Sequence, residues 1–217
     1  MPYWLSKLIK SIVKPALNSW QKHIDANISH HKLEEIHVQH AKVLANRQKL
    51  LELLPKNGVV AELGVDKGYF SQLIFEKCNP RKLHLVDSWD SKRYNDQKKI
   101  DVITHFKKYN DIVNIHVGLS TEVVREFQDE YFDWIYIDTD HSFKTTKQEL
   151  ELYKDKIKAG GIIAGHDFST GNWLKLNRYG VIEAVYEFCT KYKWEIIYLT
   201  AELSNDGEMP SFAIKRI

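Results

Sequence analysis

The stretch Val59-Val60-Ala61-Glu62-Leu63-Gly64-Val65-Asp66-Lys67-Gly68-Tyr69-Phe70-Ser71 decides the fold. An apolar, β-branched run passes through a turn holding Gly64 and Gly68 and enters a helical pattern. Glycines at a strand-to-helix turn accept unusual φ/ψ and let a ligand approach the backbone. The spacing here is G-x-x-x-G, not the G-x-G-x-x-G of dinucleotide-binding turns. Two such glycines also serve an ordinary tight turn, so the neighbouring chain has to decide between the readings.

Downstream, short β-branched runs alternate with longer helical patterns. Strands are expected at Lys82–Val86, Val113–Val117, Phe132–Ile137 and Ile162–Gly165, with helices near 68–77, 96–109, 120–129, 142–155 and 178–190. That alternation predicts a parallel sheet covered on both faces. Two further runs, Trp194–Thr200 and Ser211–Ile217, are joined by the turn-rich Asn205-Asp206-Gly207 with no helix between them. They predict an antiparallel pair at one end of the sheet. The fold class is therefore α/β, a Rossmann-like, seven-stranded, mostly parallel sheet with an antiparallel last strand.

Upstream, the composition changes. Residues 1–57 hold nine Lys/Arg against four Asp/Glu, whereas the whole 217-residue chain has 31 against 29. We place an organisational boundary near Pro55–Gly58, giving an N-terminal helical appendage (1–57) and an α/β domain (58–217). Leu5, Leu8, Ile9, Ile12, Val13 and Leu17 recur at helical spacing opposite lysines, with Pro15 interrupting. A second helical pattern runs from Leu33 to Leu54. A cationic amphipathic segment of the first kind either packs on the domain or a partner subunit, which is the favoured reading, or lies on an anionic membrane surface. His30, His31, His37 and His40 read as a solvated face rather than a metal site.

The near-neutral balance advertises no nucleic acid, and Cys78 and Cys189 rule out a disulfide scaffold. No apolar run approaches a membrane span. The lysines at 7, 10 and 14 interrupt any secretory signal, so a cytoplasmic location is expected.

The chemistry-bearing residues fall at strand ends. Leu83-His84-Leu85-Val86-Asp87 ends in a carboxylate 19 residues after Gly68, suited to the two hydroxyls of a ribose. Asp138-Thr139-Asp140-His141 follows the strand at 132–137, and His166-Asp167 follows the next one. Ligands of open α/β sheets bind at such ends. Mixed oxygen and imidazole donors suit Mg²⁺, Mn²⁺ or another divalent ion.

Together, Glu62-Leu63-Gly64 through Gly68, Asp87, Ile137–Ser142 and Gly161–Asp167 resemble the class I S-adenosylmethionine-dependent methyltransferases. The nearest look is to the bacterial subgroup of macrocin-type sugar O-methyltransferases and cephalosporin-hydroxylase-like proteins. The resemblance covers Val59 to Ile217, and the terminal strand pair fits it as well. It implies that Glu62, Gly64 and Gly68 line the cofactor, that Asp87 holds the ribose and that Ser120 lies near adenine. It further implies a metal held by Asp138, His166 and Asp167, with Asp138 also facing the reaction and His141 as general base. His166 stands where an acidic ligand is expected, which favours a softer ion, or none, over Mg²⁺.

The expected activity is methyl transfer to a hydroxyl of a sugar or other small-molecule acceptor, in a homodimer. Trp89, Tyr94, Trp173 and Tyr179 are candidates to stack on the acceptor, with lid loops at Ser88–Asp96 and Ser169–Arg178. An NAD-type oxidoreductase and a non-catalytic binding or assembly protein are the competing readings. Base methylation is disfavoured because no Asn/Asp-Pro-Pro-aromatic motif follows residue 137.

Overall fold

A computed structural model describes residues 3–26, 28–172, 177–202 and 208–217. The chain runs α1 (Tyr3–Asp25), β1 (Lys42–Leu44), α2 (Arg47–Leu53), β2 (Val59–Leu63), α3 (Tyr69–Cys78), β3 (Lys82–Asp87), α4 (Asp96–Phe106), β4 (Val113–Val117) and α5 (Ser120–Val123). It continues through β5 (Phe132–Ile137), α6 (Phe143–Tyr153), β6 (Ile157–Gly165), the short β7 (Gly171–Asn172) and β8 (Asn177–Arg178), α7 (Val181–Tyr192), β9 (Trp194–Thr200) and β10 (Phe212–Arg216). The Asn205–Gly207 turn and Trp173 lie outside the described residues.

The main sheet has eight strands in the order β1-β9-β10-β6-β5-β2-β3-β4. β10 lies antiparallel between β9 and β6, and the other pairings are parallel. The mostly parallel Rossmann-like sheet with its antiparallel last strand is thus borne out. All seven expected strands are present.

The eighth strand, β1, comes from residues 33–54, which the periodicity predicts as one helix. Instead the segment is a 3₁₀ turn (Glu35–His37), the strand β1 and the short helix α2. The helical spacing of Leu50, Leu51 and Leu54 is real, but Asn46 caps the helix only there, its side chain accepting from the Lys49 amide at 2.9 Å. Before that cap, Val43 and Leu44 add to the edge of the sheet beside β9.

Side chains alternate across each strand, so the sheet builds two cores. Val59, Ala61, Leu63, Ile135 and Ile137 face α5, α6 and α7. Val60, Leu83, Leu85, Trp134 and Tyr136 face α3, α4 and α2. Leu50 and Leu51 of α2 and Leu54 just after it are buried in this second core, together with Ile162, Ala164 and Ala213 of β6 and β10. Each such leucine contributes about 1.5–3 kcal/mol as an upper bound. The expected appendage therefore enters the domain's core from β1 onward.

Of the four histidines expected on a solvated face, His30, His31 and His40 are exposed and His37 alone is not. His37 is buried and accepts from the Glu34 amide, while His40 pairs with Glu195 of β9 at 2.7 Å. His31 reaches Thr190 of α7 at 3.3 Å. They help seat the 28–41 segment against α7 and β9.

Candidate active site at the strand ends

Chain order reverses between β2 and β5: β3 and β4 lie to one side of β2, and β5 and β6 to the other. A crevice outside the carboxyl ends of the strands forms at such a point. Gly64 ends β2, Asp87 ends β3, Asp138 follows β5 and His166 follows β6, so all four line one rim.

Gly64 has φ +89°, and a Cβ on it would stand 2.0 Å from the Asp138 carbonyl oxygen. Only glycine lets the ends of β2 and β5 approach this closely. The Gly64 amide donates to Val86 O at 2.9 Å, and the Asp138 amide donates to Leu63 O at 2.7 Å. Gly68, with φ +76°, opens α3.

The Asp87 carboxylate organises this turn. One oxygen accepts from the amides of Val65 and Asp66, at 2.8 and 2.9 Å. The other accepts from the Trp89 amide at 2.9 Å. A carboxylate has about four acceptor positions, so one remains on that second oxygen, free to face a ligand. Trp89, an aromatic candidate for the acceptor, is instead buried, with its indole N–H donating to Asp66 O.

Glu62 is buried and accepts from the Ser71 hydroxyl of α3. Burial pushes its carboxyl well above the usual range. Ser120 is buried as well, and its hydroxyl donates to Glu149. Glu149 also accepts from Thr139 at 2.9 Å, and burial raises its pKa to about 7.

Beside Asp138 lies a network of imidazoles and carboxylates. His141 Nδ1 donates to Asp167 Oδ2 at 2.9 Å. His166 Nδ1 lies 3.4 Å from Asp167 Oδ2 and 3.7 Å from Asp138 Oδ1, and its Nε2 is 3.4 Å from Glu208 Oε2. Burial disfavours a charged His166, but hydrogen bonds to Asp167 and Glu208 and the neighbouring carboxylates outweigh it and raise its pKa to about 10. Burial likewise opposes the Asp167 carboxylate, yet its bonds and charge contacts with His141 and His166 hold the carboxyl far below its ordinary value. Asp138 moves the other way, raised chiefly by burial.

Backbone strain marks the same rim. Asp66, Trp89, His141 and Asp167 all have positive φ, each in a loop after the carboxyl end of a strand. Such conformations are costly for non-glycine residues and persist where the surroundings enforce them. His141 is held by its own carbonyl, which accepts from the Gly180 amide at 2.9 Å. Its ring stands 5.0 Å from that of Tyr179.

Asp138, His141, His166 and Asp167 thus come together as expected, while Asp140 is committed elsewhere. Its carboxylate accepts from the Ser142 amide and the Thr145 hydroxyl at the start of α6. Among the described residues, Asp138, His141 and Asp167 each offer a donor atom within 4.8 Å of the others.

Two residues escaped the sequence reading. Arg47, the first residue of α2, places its guanidinium 2.9 Å from Glu208, 3.9 Å from Asp138 Oδ2 and 4.7 Å from the centre of the Phe70 ring. Glu208 itself precedes β10. No local motif flags either one; only the docking of α2 and the return of β10 bring them to the rim.

The sheet is Rossmann-like, with antiparallel β10 inserted between β9 and β6 and polar residues gathered at the β2/β5 reversal. Residues 61–168 match the family model described as a methyltransferase domain, and this span holds Glu62, Gly64, Asp87, Asp138, His141 and Asp167. Solved structures agree on the fold. A S-adenosylmethionine-dependent methyltransferase from Methanosarcina mazei superposes with TM-score 0.60 at 12% identity, covering 80% of this chain and 99% of that one. A tRNA methyltransferase from B. subtilis gives 0.58 at 16%, covering 80% and 66%. A Streptococcus mutans protein assigned to the methyltransferases and solved with SAH gives 0.57 at 12%, covering 79% and 96%. No curated protein sequence matches the chain.

Proposed function

We propose that the protein is a S-adenosylmethionine-dependent methyltransferase acting on a hydroxyl of a small molecule, a sugar being the favoured acceptor. The observation that carries this is the joint placement of the Gly64 turn, Asp87 and Asp138 on one rim with the His141–Asp167 pair beside them. The rim fits the cofactor at Asp87, whose carboxylate accepts three backbone amides and keeps one acceptor position for a ribose hydroxyl. Glu62 and Gly68 shape the same turn, and Ser120 stands at the adenine end. S-adenosylmethionine supplies a methyl group activated by its sulfonium.

A hydroxyl is a poor nucleophile until its proton leaves. Asp167 fixes His141 through Nδ1, so Nε2 is the atom left to accept that proton. With the methyl donor bound at the rim, the hydroxyl oxygen would take the methyl group as the carbon–sulfur bond breaks and leaves its electron pair on sulfur. Positioning accounts for much of the rate of such an in-line displacement. Asp138 and Tyr179 flank His141 and would orient the acceptor. Residues 58–217 are net acidic, which favours a small acceptor over a nucleic acid.

A metal-assisted variant has one observation in its favour, the convergence of Asp138, His141 and Asp167. One imidazole and two carboxylates suit Mn²⁺ or a similar ion better than Mg²⁺, which prefers oxygen. His141 would then be a ligand and not the base.

Calorimetric titration with S-adenosylmethionine and SAH tests the reading. Micromolar binding by the native chain, lost in Asp87→Ala, is expected. His141→Ala is expected to keep that binding and lose turnover in an acceptor screen run with Mn²⁺ and with EDTA. A folded protein that binds neither compound would refute the assignment. Activity abolished by EDTA and restored by Mn²⁺ would move His141 from base to ligand.

A further inference from the structure

Away from the strand ends, α1 carries a surface that the proposed reaction does not use. Its 23 residues carry an apolar stripe that the domain does not cover. Trp4 is 66% exposed, Leu8 51%, Ile12 67% and Leu17 37%, and every side chain described between Tyr3 and Lys22 is exposed. The expectation was packing on the domain or on a partner subunit, and the first of these fails: the stripe faces away from the domain. The domain holds the far end of the helix, where Asp25 pairs with Arg178 at 3.1 Å.

We infer that α1 is an interfacial helix that seats the enzyme on an anionic lipid surface. Charge selects this occupant. From Tyr3 to Ile24 the sequence has four lysines and no acidic residue. Lys7, Lys10 and Lys14 follow one another at i, i+3, i+7 and so share a face, opposite the apolar stripe. Apolar residues at 4, 5, 8, 9, 12, 13, 16 and 17 make that stripe far wider than the two-in-seven seam of a coiled coil. Trp4 and Tyr3 at the helix start have the amphipathic rings that sit at headgroup level. The helix is too polar to cross a bilayer, and none of the described helices is long and apolar enough to do so. It therefore lies on the surface.

A second copy of the chain fits less well. Two α1 helices packed stripe to stripe would turn the lysines of both copies outward with no acidic residue to pair them, and one partner helix would leave part of so wide a stripe uncovered. Pro15, in mid-helix, would also interrupt the backbone ladder of the seam.

The test uses the full chain and sucrose-loaded vesicles of phosphatidylcholine alone or with one quarter phosphatidylglycerol. Co-sedimentation at low salt is expected to favour the anionic vesicles by about a hundredfold, roughly a factor of five for each of three lysines at the surface. The preference is expected to shrink severalfold in 0.5 M salt. The double variant Leu8→Glu/Ile12→Glu replaces exposed side chains, so its melting curve should match the native one while its sedimentation is lost. Lys7→Glu/Lys10→Glu/Lys14→Glu should lose the anionic preference. Equal sedimentation of native chain and double variant, or none with anionic vesicles, would overturn the inference. So would a native dimer, seen by light scattering, that the double variant splits into monomers.

Discussion

Two glycines with similar backbone angles separate strain from collision in this fold. Gly64 and Gly160 both have positive φ, +89° and +75°. Alanine at Gly160 meets nothing within 4 Å, whereas at Gly64 its Cβ would stand 2.0 Å from Asp138 O and 2.6 Å from its carbonyl carbon. Both substitutions carry the left-handed cost of roughly 1–2 kcal/mol, partly offset by about 0.5–1 kcal/mol of lost freedom in the unfolded chain. Gly160→Ala should therefore destabilise by about 1 kcal/mol or less.

At Gly64 the obstacle is backbone, which no rotamer change relieves. The ends of β2 and β5 must part by about an ångström to restore ordinary contact, stretching the bond from Asp138 N to Leu63 O and displacing the turn whose Gly64 amide is bonded to Val86 O of β3. Two weakened backbone bonds at roughly 1 kcal/mol each, added to the net φ cost of about 1 kcal/mol or less, bring the expected loss to about 2–3 kcal/mol. Urea unfolding of both variants, with equal slopes, measures the difference directly. Titration with SAH should then show Gly160→Ala binding as the native chain does and Gly64→Ala binding weakly. Equal midpoints for the two variants would refute the claim that the β2–β5 approach, and not the φ angle alone, requires glycine at 64.

Glu149 gives the fold a pH dependence. Its folded pKa, raised by burial to about 7, exceeds the ordinary 4.5, so the stability it contributes is complete below pH 4.5 and is lost as pH rises through about 7. The gap corresponds to about 3 kcal/mol. Urea midpoints at pH 5 and pH 8 should differ by less in Glu149→Gln than in the native chain; an unchanged difference would show that the buried carboxyl is not its source. Arg47→Met keeps apolar contact with Phe70 but removes the charge beside Asp138 and Glu208. We expect SAH affinity to fall severalfold with a melting shift of only a few degrees, and native affinity in this variant would remove Arg47 from the site.

The strands were legible because a sheet buried on both faces demands short β-branched runs, and 59–63, 113–117, 132–137 and 194–200 have them. The strand-end residues were legible for a related reason. A polar residue directly after such a run has one place to be, at the mouth of the sheet. Residues 33–54 misled because helical spacing at Leu50, Leu51 and Leu54 says nothing about where the helix starts. That is set by the Asn46 cap and by an edge of β9 open to a further parallel strand. Ser120 and Trp89 illustrate a second limit, since sequence places a residue at a loop but does not say whether its side chain turns inward.

From residue 58 onward the sequence by itself determined the order of the main-sheet strands, the glycine turn and the set of carboxylates and imidazoles that reach the rim, because each depends on local pattern. Tertiary structure alone decided how those groups pair. His141 faces Asp167, Asp140 is used up at the start of α6, and Arg47 and Glu208 arrive from opposite ends of the chain. Such pairings depend on distances between elements remote in sequence, which only the packed sheet fixes. The same holds for α1. Its amphipathic pattern is written in the residues, but that its apolar side faces outward is a fact of the folded chain.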